Sequence, residues 1–405
     1  MDVTRLRKAA RAGYDLTRGV ALGRYPAFVY GRGLAADEIP CFCFHGVEPE
    51  PFEALLHELR SNEYRTLGID AFADILTGTR KKEHPRSILL TFDDGVGSMW
   101  TTAYPLLKRY GMRGTVFLVP GRIRHRDGYL PNLEDVWAGR AERSDIEGRD
   151  AGPWPFATWE EIETMHDSGC MDFESHSHDH SLVFVSPRIV DFVNPAALGG
   201  YHRFEFPRIR TGPDRVEDID QLGAPLYEAR PRLGEARRYI DDPKVRDRCV
   251  QYVREHGGAA FFERRDWRKQ LIGVVRDYEA ENGGFDDGYE TPDERRAAIR
   301  LELHRSRRVM DERIPGKETR HLCYPWGIGS ALAEEVAREE GYRTGFWDPP
   351  DGSKTVRIGQ DPHRIGRLGP DFLPLLPGPR RIGLGRMLVR KVRARLRHGS
   401  PYLSH

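Results

Sequence analysis

Apolar residues recur along the chain with two periods, and the exchange between them predicts a β/α scaffold. Short apolar runs at 39–44, 64–67, 87–92, 114–119, 170–173, 321–323 and 342–346 stop abruptly at glycine, charge or turn residues, as strands buried on both faces of a parallel sheet do. Between them the spacing turns helical. Phe52, Leu55, Leu56 and Leu59 share one face, a second helix is expected over 99–110, and Thr158 with Glu161 three residues on forms a capping box that starts a third. Pro292 opens a long amphipathic helix reaching Arg313, with Ile299, Leu301, Leu303 and Met310 among its apolar members. The stretch from His180 to Tyr289 breaks the alternation. Its first part, with Phe192, Tyr201, Phe204, Phe206, Arg208 and Arg210, has no period and is expected to be an ordered loop or a disordered excursion. Its second part offers two helices, one with Val245, Cys249, Tyr252 and Val253 on a face, the next with Phe262, Trp267, Leu271, Val274 and Val275. These are expected to cap the substrate entrance.

Two strand ends carry the candidate chemistry. The run Ser87-Ile88-Leu89-Leu90-Thr91-Phe92 ends on Asp93-Asp94-Gly95, and adjacent carboxylates at a buried strand end are costly unless a cation or a proton transfer uses them. Taken alone, Asp-Asp-Gly reads more simply as a solvated turn. The second run ends on His176-Ser177-His178-Asp179-His180, and three alternating histidines are a poor match to core packing. Two of them with one carboxylate would make a metal set with positions left open for water and substrate. His176 with His180 is the chosen pair, while His178 could replace one of them or face solvent.

Thr91-Phe92-Asp93-Asp94-Gly95 and His176-Ser177-x-x-His180 resemble the first two motifs of the polysaccharide deacetylases, the NodB-like carbohydrate esterases, and Tyr324-Pro325-Trp326-Gly327 resembles the third. The resemblance covers the chain from Ile39 to Arg367 apart from the insertion. It implies an α/β fold, a distorted (β/α)7 barrel with a long helical insertion between the histidine motif and the Tyr-Pro-Trp-Gly strand. It also implies that Asp94, His176 and His180 hold a divalent metal, zinc being the expected ion, that Asp93 is the base, and that the backbone N–H of Tyr324 meets the developing oxyanion. His45, ending the first strand, resembles the general acid of the circularly permuted branch, although Phe44 stands where that branch has tyrosine. The family's arginine, which orients the catalytic aspartate, is replaced by Cys323; Arg364 or Arg367 could supply that charge from another direction, and Arg364 is the residue assigned. The implied reaction is hydrolysis of the acetamide of an N-acetylated amino sugar, in a glycan or a lipid-linked saccharide. A deformylase or other sugar amidase would use the same residues. A glycan- or glycolipid-binding module without activity is the reading from outside the enzymes.

Composition changes this picture mainly at the ends. Lysine and arginine number 63 against 62 acids, a formal charge of +1 that gives no reason to expect nucleic acid as a partner. The five cysteines form no C-x-x-C pair and read as reduced, small apolar fillers, four of them in predicted strands. No signal-peptide pattern and no bilayer-length apolar run is present, so a cytoplasmic protein is expected. Val3, Leu6, Ala10 and Tyr14 share a face of a basic N-terminal helix, and Leu388, Val389, Val392 and Leu396 lie among arginines from Arg380 to Arg397. A solvated tail is the plain reading of the C-terminal segment, and peripheral contact with an anionic inner membrane face is the functional one. The expected organisation is 1–38 as basic helix and linker, 39–371 as barrel with the insertion at 183–290, and 372–405 as basic tail.

Overall fold

The computed structural model describes residues 18–198, 204, 206–210, 216–218 and 221–390. In chain order its strands are β1 (Cys41–Phe44), β2 (Arg65–Thr66), β3 (Ser87–Asp94), β4 (Gly114–Leu118), β5 (Met171–Ser175), β6 (Leu182–Phe192), β7 (Arg208–Arg210), β8 (Val216–Asp218), β9 (Pro225–Pro231), β10 (Tyr239–Ile240), β11 (Gly288–Tyr289), β12 (His321–Cys323) and β13 (Thr344–Phe346). One curled sheet runs β1-β3-β4-β5-β12-β13, every pair parallel, with β2 lying along the start of β3. Residues 365–368 link its two edges. The Trp347 N–H donates to Ile365 O at 3.1 Å and the Leu368 N–H to Cys41 O at 2.8 Å, so this irregular stave touches β13 at one end and β1 at the other. The result is the β/α scaffold that the pattern predicts, curled into the distorted barrel that the resemblance implies.

Alternation along the strands decides what each residue meets. Cys41, Leu89, Phe117, Cys323, Phe346 and Ile365 fill the interior together with Ile69, Phe72, Ile75 and Leu76 of the helix Ile69–Leu76. That helix sits at the amino ends of the strands, where its Asp70 reaches His321 Nε2 at 3.2 Å, and leaves the carboxyl ends as the barrel mouth. The intervening residues Phe42, Phe44, Leu90 and Phe92 pack outward beneath Phe52, Leu56, Leu106 and Leu107. Phe44 stacks on Phe92 at 5.2 Å and meets Phe52 edge-on at 5.6 Å, contacts worth about 0.5–1.5 kcal/mol each beyond the area they bury. Phe44 is therefore a core residue on the far side of β1 from the mouth.

The first part of the insertion forms strands where an ordered loop or a disordered excursion is expected. Leu182–Phe192 and Pro225–Pro231 pair as a long antiparallel ribbon, and β7 with β8 makes a second. Register shifts between Phe184 and Ile189, and again between Ile189 and Asp191, break the two-residue period that would have announced a strand. The helices Pro243–Glu255 and Trp267–Asn282 do form, and Phe192 of the ribbon is buried between them with Cys249, Val253 and Leu271. The expected N-terminal helix lies outside the described residues except for a helical turn at 18–21. Of the basic C-terminal segment, 384–390 is helical with Met387 buried on the barrel, and Arg381 donates to the carbonyls of Phe28 and Gly31; the remainder lies outside the described residues.

Candidate active site

The register of β3 on β4 sets Asp93 beside Phe117 and Asp94 beside Leu118, at the mouth. Asp93 continues the interior row of Leu89 and Thr91. By the same alternation Asp94 would face outward, but its backbone is left-handed at φ 72°, and this turns the carboxylate back toward the mouth. Such a conformation costs a non-glycine residue about 1–3 kcal/mol, a strain that clusters at functional sites. Gly95 follows at φ 72°, where a Cβ would come within 2.3 Å of Leu118 Cδ1, so only glycine fits.

The histidines leave β5 on an equally constrained turn. The His176 N–H extends the ladder to Leu118 O at 2.8 Å, Ser177 and His180 adopt φ of 62° and 52°, and the His180 N–H donates to Ser177 Oγ at 3.1 Å. Glu302, from the helix Pro292–Arg313, accepts the Asp179 N–H at 2.7 Å and pins the turn from behind. His176 Nδ1 lies 2.8 Å from the Cys323 carbonyl. A carbonyl only accepts, so Nδ1 is the donor and a neutral ring presents its Nε2 lone pair to the mouth.

Nε2 of His176 and of His180 stand 3.6 Å and 3.7 Å from the same oxygen, Asp94 Oδ1. The three potential ligand atoms lie within 4.8 Å of one another, on residues between 2% and 5% exposed. Among the described residues Asp94 Oδ1 is the one carboxylate oxygen that is buried without a hydrogen-bond partner. Buried carboxylates are normally satisfied, and two imidazole nitrogens with one carboxylate oxygen are a donor set suited to zinc, so the residues fit a divalent cation. His178 is outside this group, half-buried, with Nε2 3.9 Å from Asp179 Oδ1.

Asp93 is held differently. Arg367 forks onto it, Nη1 to Oδ1 at 2.6 Å and Nη2 to Oδ2 at 2.7 Å, and Nη1 also donates to Thr91 Oγ1 at 3.0 Å. The Cys43 thiol donates to Asp93 Oδ2 at 3.3 Å, with Cys323 Sγ 3.9 Å from the same oxygen. Burial alone would raise the Asp93 pKa, but the charge of Arg367 and its fork, joined by His176 whenever that ring is protonated, outweigh it and hold the carboxyl well below the usual range. Asp94 is likewise lowered, against burial, by His180, His45 and His176. His45 sits half-buried just past the end of β1, its ligand nitrogen within 4.8 Å of the Cys43 sulfur and an Asp93 carboxylate oxygen.

Two of the assigned residues serve elsewhere. Arg364 pairs with Glu334 at 3.1 Å and Asp361 at 3.7 Å, because residues two apart share a face and Arg367, not Arg364, lies on the inward face with Ile365. The Tyr324 N–H is consumed by Phe346 O at 2.9 Å, in the ladder between β12 and β13, so it has no proton to offer an oxyanion. Its ring is fully buried against Trp347. Three contributors were not anticipated: Cys43 and Cys323, which flank Asp93 rather than merely filling space, and Trp326, at φ 57° with its ring 4.0 Å from that of His180. Their sequence signals were a cysteine in the place of the motif arginine and an aromatic residue just after the motif proline.

Residues 80–190 match the family model described as polysaccharide deacetylase. YxkH of Bacillus subtilis (strain 168), which carries a polysaccharide deacetylase name, is 32% identical over 97 residues, covering 22% of this chain and 34% of its own. A poly-beta-1,6-N-acetyl-D-glucosamine N-deacetylase of Staphylococcus aureus (strain MSSA476) is 26% identical over 140 residues, 34% of this chain and 39% of its own. The chain thus spans little more than about a third of the length of these relatives. The deacetylase domain of BpsB from Bordetella bronchiseptica superposes with a TM-score of 0.50 at 18% identity, over 83% of this chain and 96% of that one, a likeness of fold. Both the Asp-Asp and the histidine motifs fall inside the matched span, at the ends of β3 and β5, which flank β4 in this barrel, so the stretch that carries the site is similar to the polysaccharide deacetylases.

Proposed function

We propose that the protein is a metal-dependent N-deacetylase that hydrolyses the acetamide of an N-acetylated amino sugar and releases acetate. The observation that carries this reading is the pairing of opposites at one strand end: Asp94 Oδ1, unpartnered between two imidazoles, beside Asp93, fully engaged by a guanidinium. Asp94, His176 and His180 would hold a divalent ion, zinc by the ligand types, and such an ion makes bound water more acidic and polarises an amide carbonyl. Arg367 keeps Asp93 ionised and fixes its plane, so the carboxylate stands ready to accept the proton of the attacking water. His45, half-buried at the mouth, then protonates the amine as the C–N bond breaks. Trp326 walls the histidine side and limits the approach of bulk water.

The test is mass analysis of the acid and the sugar released when the zinc-loaded protein meets N-acetylated glycans and lipid-linked saccharides. Acetate with a free amino sugar is the expected result. Formate or another acid would change the acyl group, and no release by the zinc-loaded protein from any of these substrates would sink the reading. A lipid-linked substrate at the inner membrane face is the form supported by the exposed Arg380, Arg386 and Arg390, since each cation near an anionic surface contributes about 1 kcal/mol. No helix among the described residues is long and apolar enough to cross a membrane. Failure to sediment with anionic vesicles at low salt would remove that part of the proposal.

A further inference from the structure

Three donors around Asp93, those of Cys43, His45 and Cys323, are not used as ligands by the proposed reaction. Besides Asp94, His176 and His180, two further groups bring three potential ligand atoms within 4.8 Å of one another: Cys43 with His45 and Asp93, and Cys323 with His176 and Asp93. The second shares His176 with the first site and is wholly buried, so the two could not fill together. The Cys43 group shares no residue with Asp94, His176 and His180, and Cys43 and His45, both half-buried, stand at the mouth.

We infer that Cys43, His45 and Asp93 are a second cation site, selective for thiophilic divalent ions such as cadmium or excess zinc. Selectivity follows from charge. The Arg367 fork neutralises Asp93, at 2.6 Å and 2.7 Å, so a carboxylate and a neutral imidazole alone offer a hard dication such as magnesium little net attraction. A thiophilic ion can displace the Cys43 proton, forming a metal–sulfur bond as the proton passes to solvent; the thiolate supplies the missing negative charge with no change of oxidation state. The thiol already lies 3.3 Å from Asp93 Oδ2, so sulfur and carboxylate can converge on one ion with little movement. Filling this site takes up the carboxylate and the imidazole assigned as base and acid. Inhibition by excess metal is then a consequence, one that rests on the proposed reaction, whereas the binding claim does not.

The experiment counts ions and needs no substrate. The full chain is titrated with cadmium, followed by native mass spectrometry and by the ultraviolet charge-transfer band of cadmium-thiolate, which the oxygen and nitrogen donors of the first site cannot produce. Wild type is expected to take two cadmium ions with the band, Cys43→Ser one ion without it, and Asp94→Ala one ion with it. Retention of one ion by Cys43→Ser also shows that the variant has folded. His45→Ala is expected to weaken the band-forming ion at least tenfold, and Cys170→Ser, remote from the mouth, to match wild type. Magnesium should add no second ion. A single ion in the wild type, or a band that survives Cys43→Ser, overturns the proposal; in the latter case loss of the band in Cys323→Ser would assign it to the buried group.

Discussion

The insertion lobe and the barrel mouth both bury charge, and they dispose of it in opposite ways. In the lobe Arg232 forks onto Glu290 at 2.7–2.8 Å, the Tyr278 hydroxyl and the Asp286 N–H both donate to Asp242 Oδ2, and Arg246 reaches Asp241 at 2.7 Å. Among the described residues no buried side-chain nitrogen or oxygen between 182 and 290 lacks a partner. At the mouth one aspartate is saturated while its neighbour in the chain keeps an oxygen that accepts nothing. Residue type does not distinguish these regions. Satisfaction does: a closed set of pairs holds a shape, and an open one waits for a ligand.

That contrast can be broken first at the open set. Asp94→Ala, His176→Ala and His180→Ala should each abolish binding of the first-site ion and turnover, whereas Asp93→Asn should keep that ion and lose about 10²- to 10⁴-fold in kcat. Metal analysis beside kinetics decides it, and equal metal loss from both aspartates would dissolve the division of labour. His45→Ala should keep the first-site ion and cost a similar factor of about 10² to 10⁴ on an amide, but much less on an activated ester whose leaving group needs no proton. Equal losses on both would make His45 structural.

Removing one partner of a closed pair should instead appear as lost stability. Glu290→Ala leaves Arg232 buried and unpaired, which should cost about 3–5 kcal/mol in urea unfolding while leaving kcat of the folded fraction unchanged. Arg367→Ala joins the two regimes, with a comparable loss at neutral pH and a fall in turnover. Its stability deficit should also depend on pH in a defined sense. Asp93 is depressed in the folded wild type, so its pairing stabilises above the unfolded carboxylate value of about 3.9, and that contribution disappears as the pH falls through the folded pKa. The gap between wild type and Arg367→Ala should therefore narrow in acid. The smallest effect is expected from Tyr278→Phe, which removes one donor to Asp242 and should cost about 1 kcal/mol with no change in turnover.

What the chain reveals before folding follows from how local each feature is. The run Ser87–Asp94 declares its strand, and the histidine spacing brings His176 and His180 to one turn, because these are matters of a few adjacent residues. Arg367 could not be separated from Arg364 without knowing that residues 365–368 bridge two strands and which face looks inward. The fate of the Tyr324 N–H depends on the register against β13, set by a strand that begins twenty residues later. The ribbon of β6 and β9 was hidden by its own bulges. Cys43 and Cys323 read as filler because a thiol in an apolar run is usually that, and only the position of Asp93 between them gives them polar work.

The stave that closes the barrel is also the segment that brings Arg367 to Asp93, and the two residues are separated by 274 positions in the chain. A ribosome adding about 5–20 residues per second would need roughly 14–55 s to travel from one to the other. Throughout that interval a nascent barrel would have Asp93 without its cation, so any early closure of the strands would bury a bare carboxylate and be disfavoured. The same residue pair that seats the proposed base thus acts as a timing device: the interior can seal stably only after nearly all of the barrel has been synthesised.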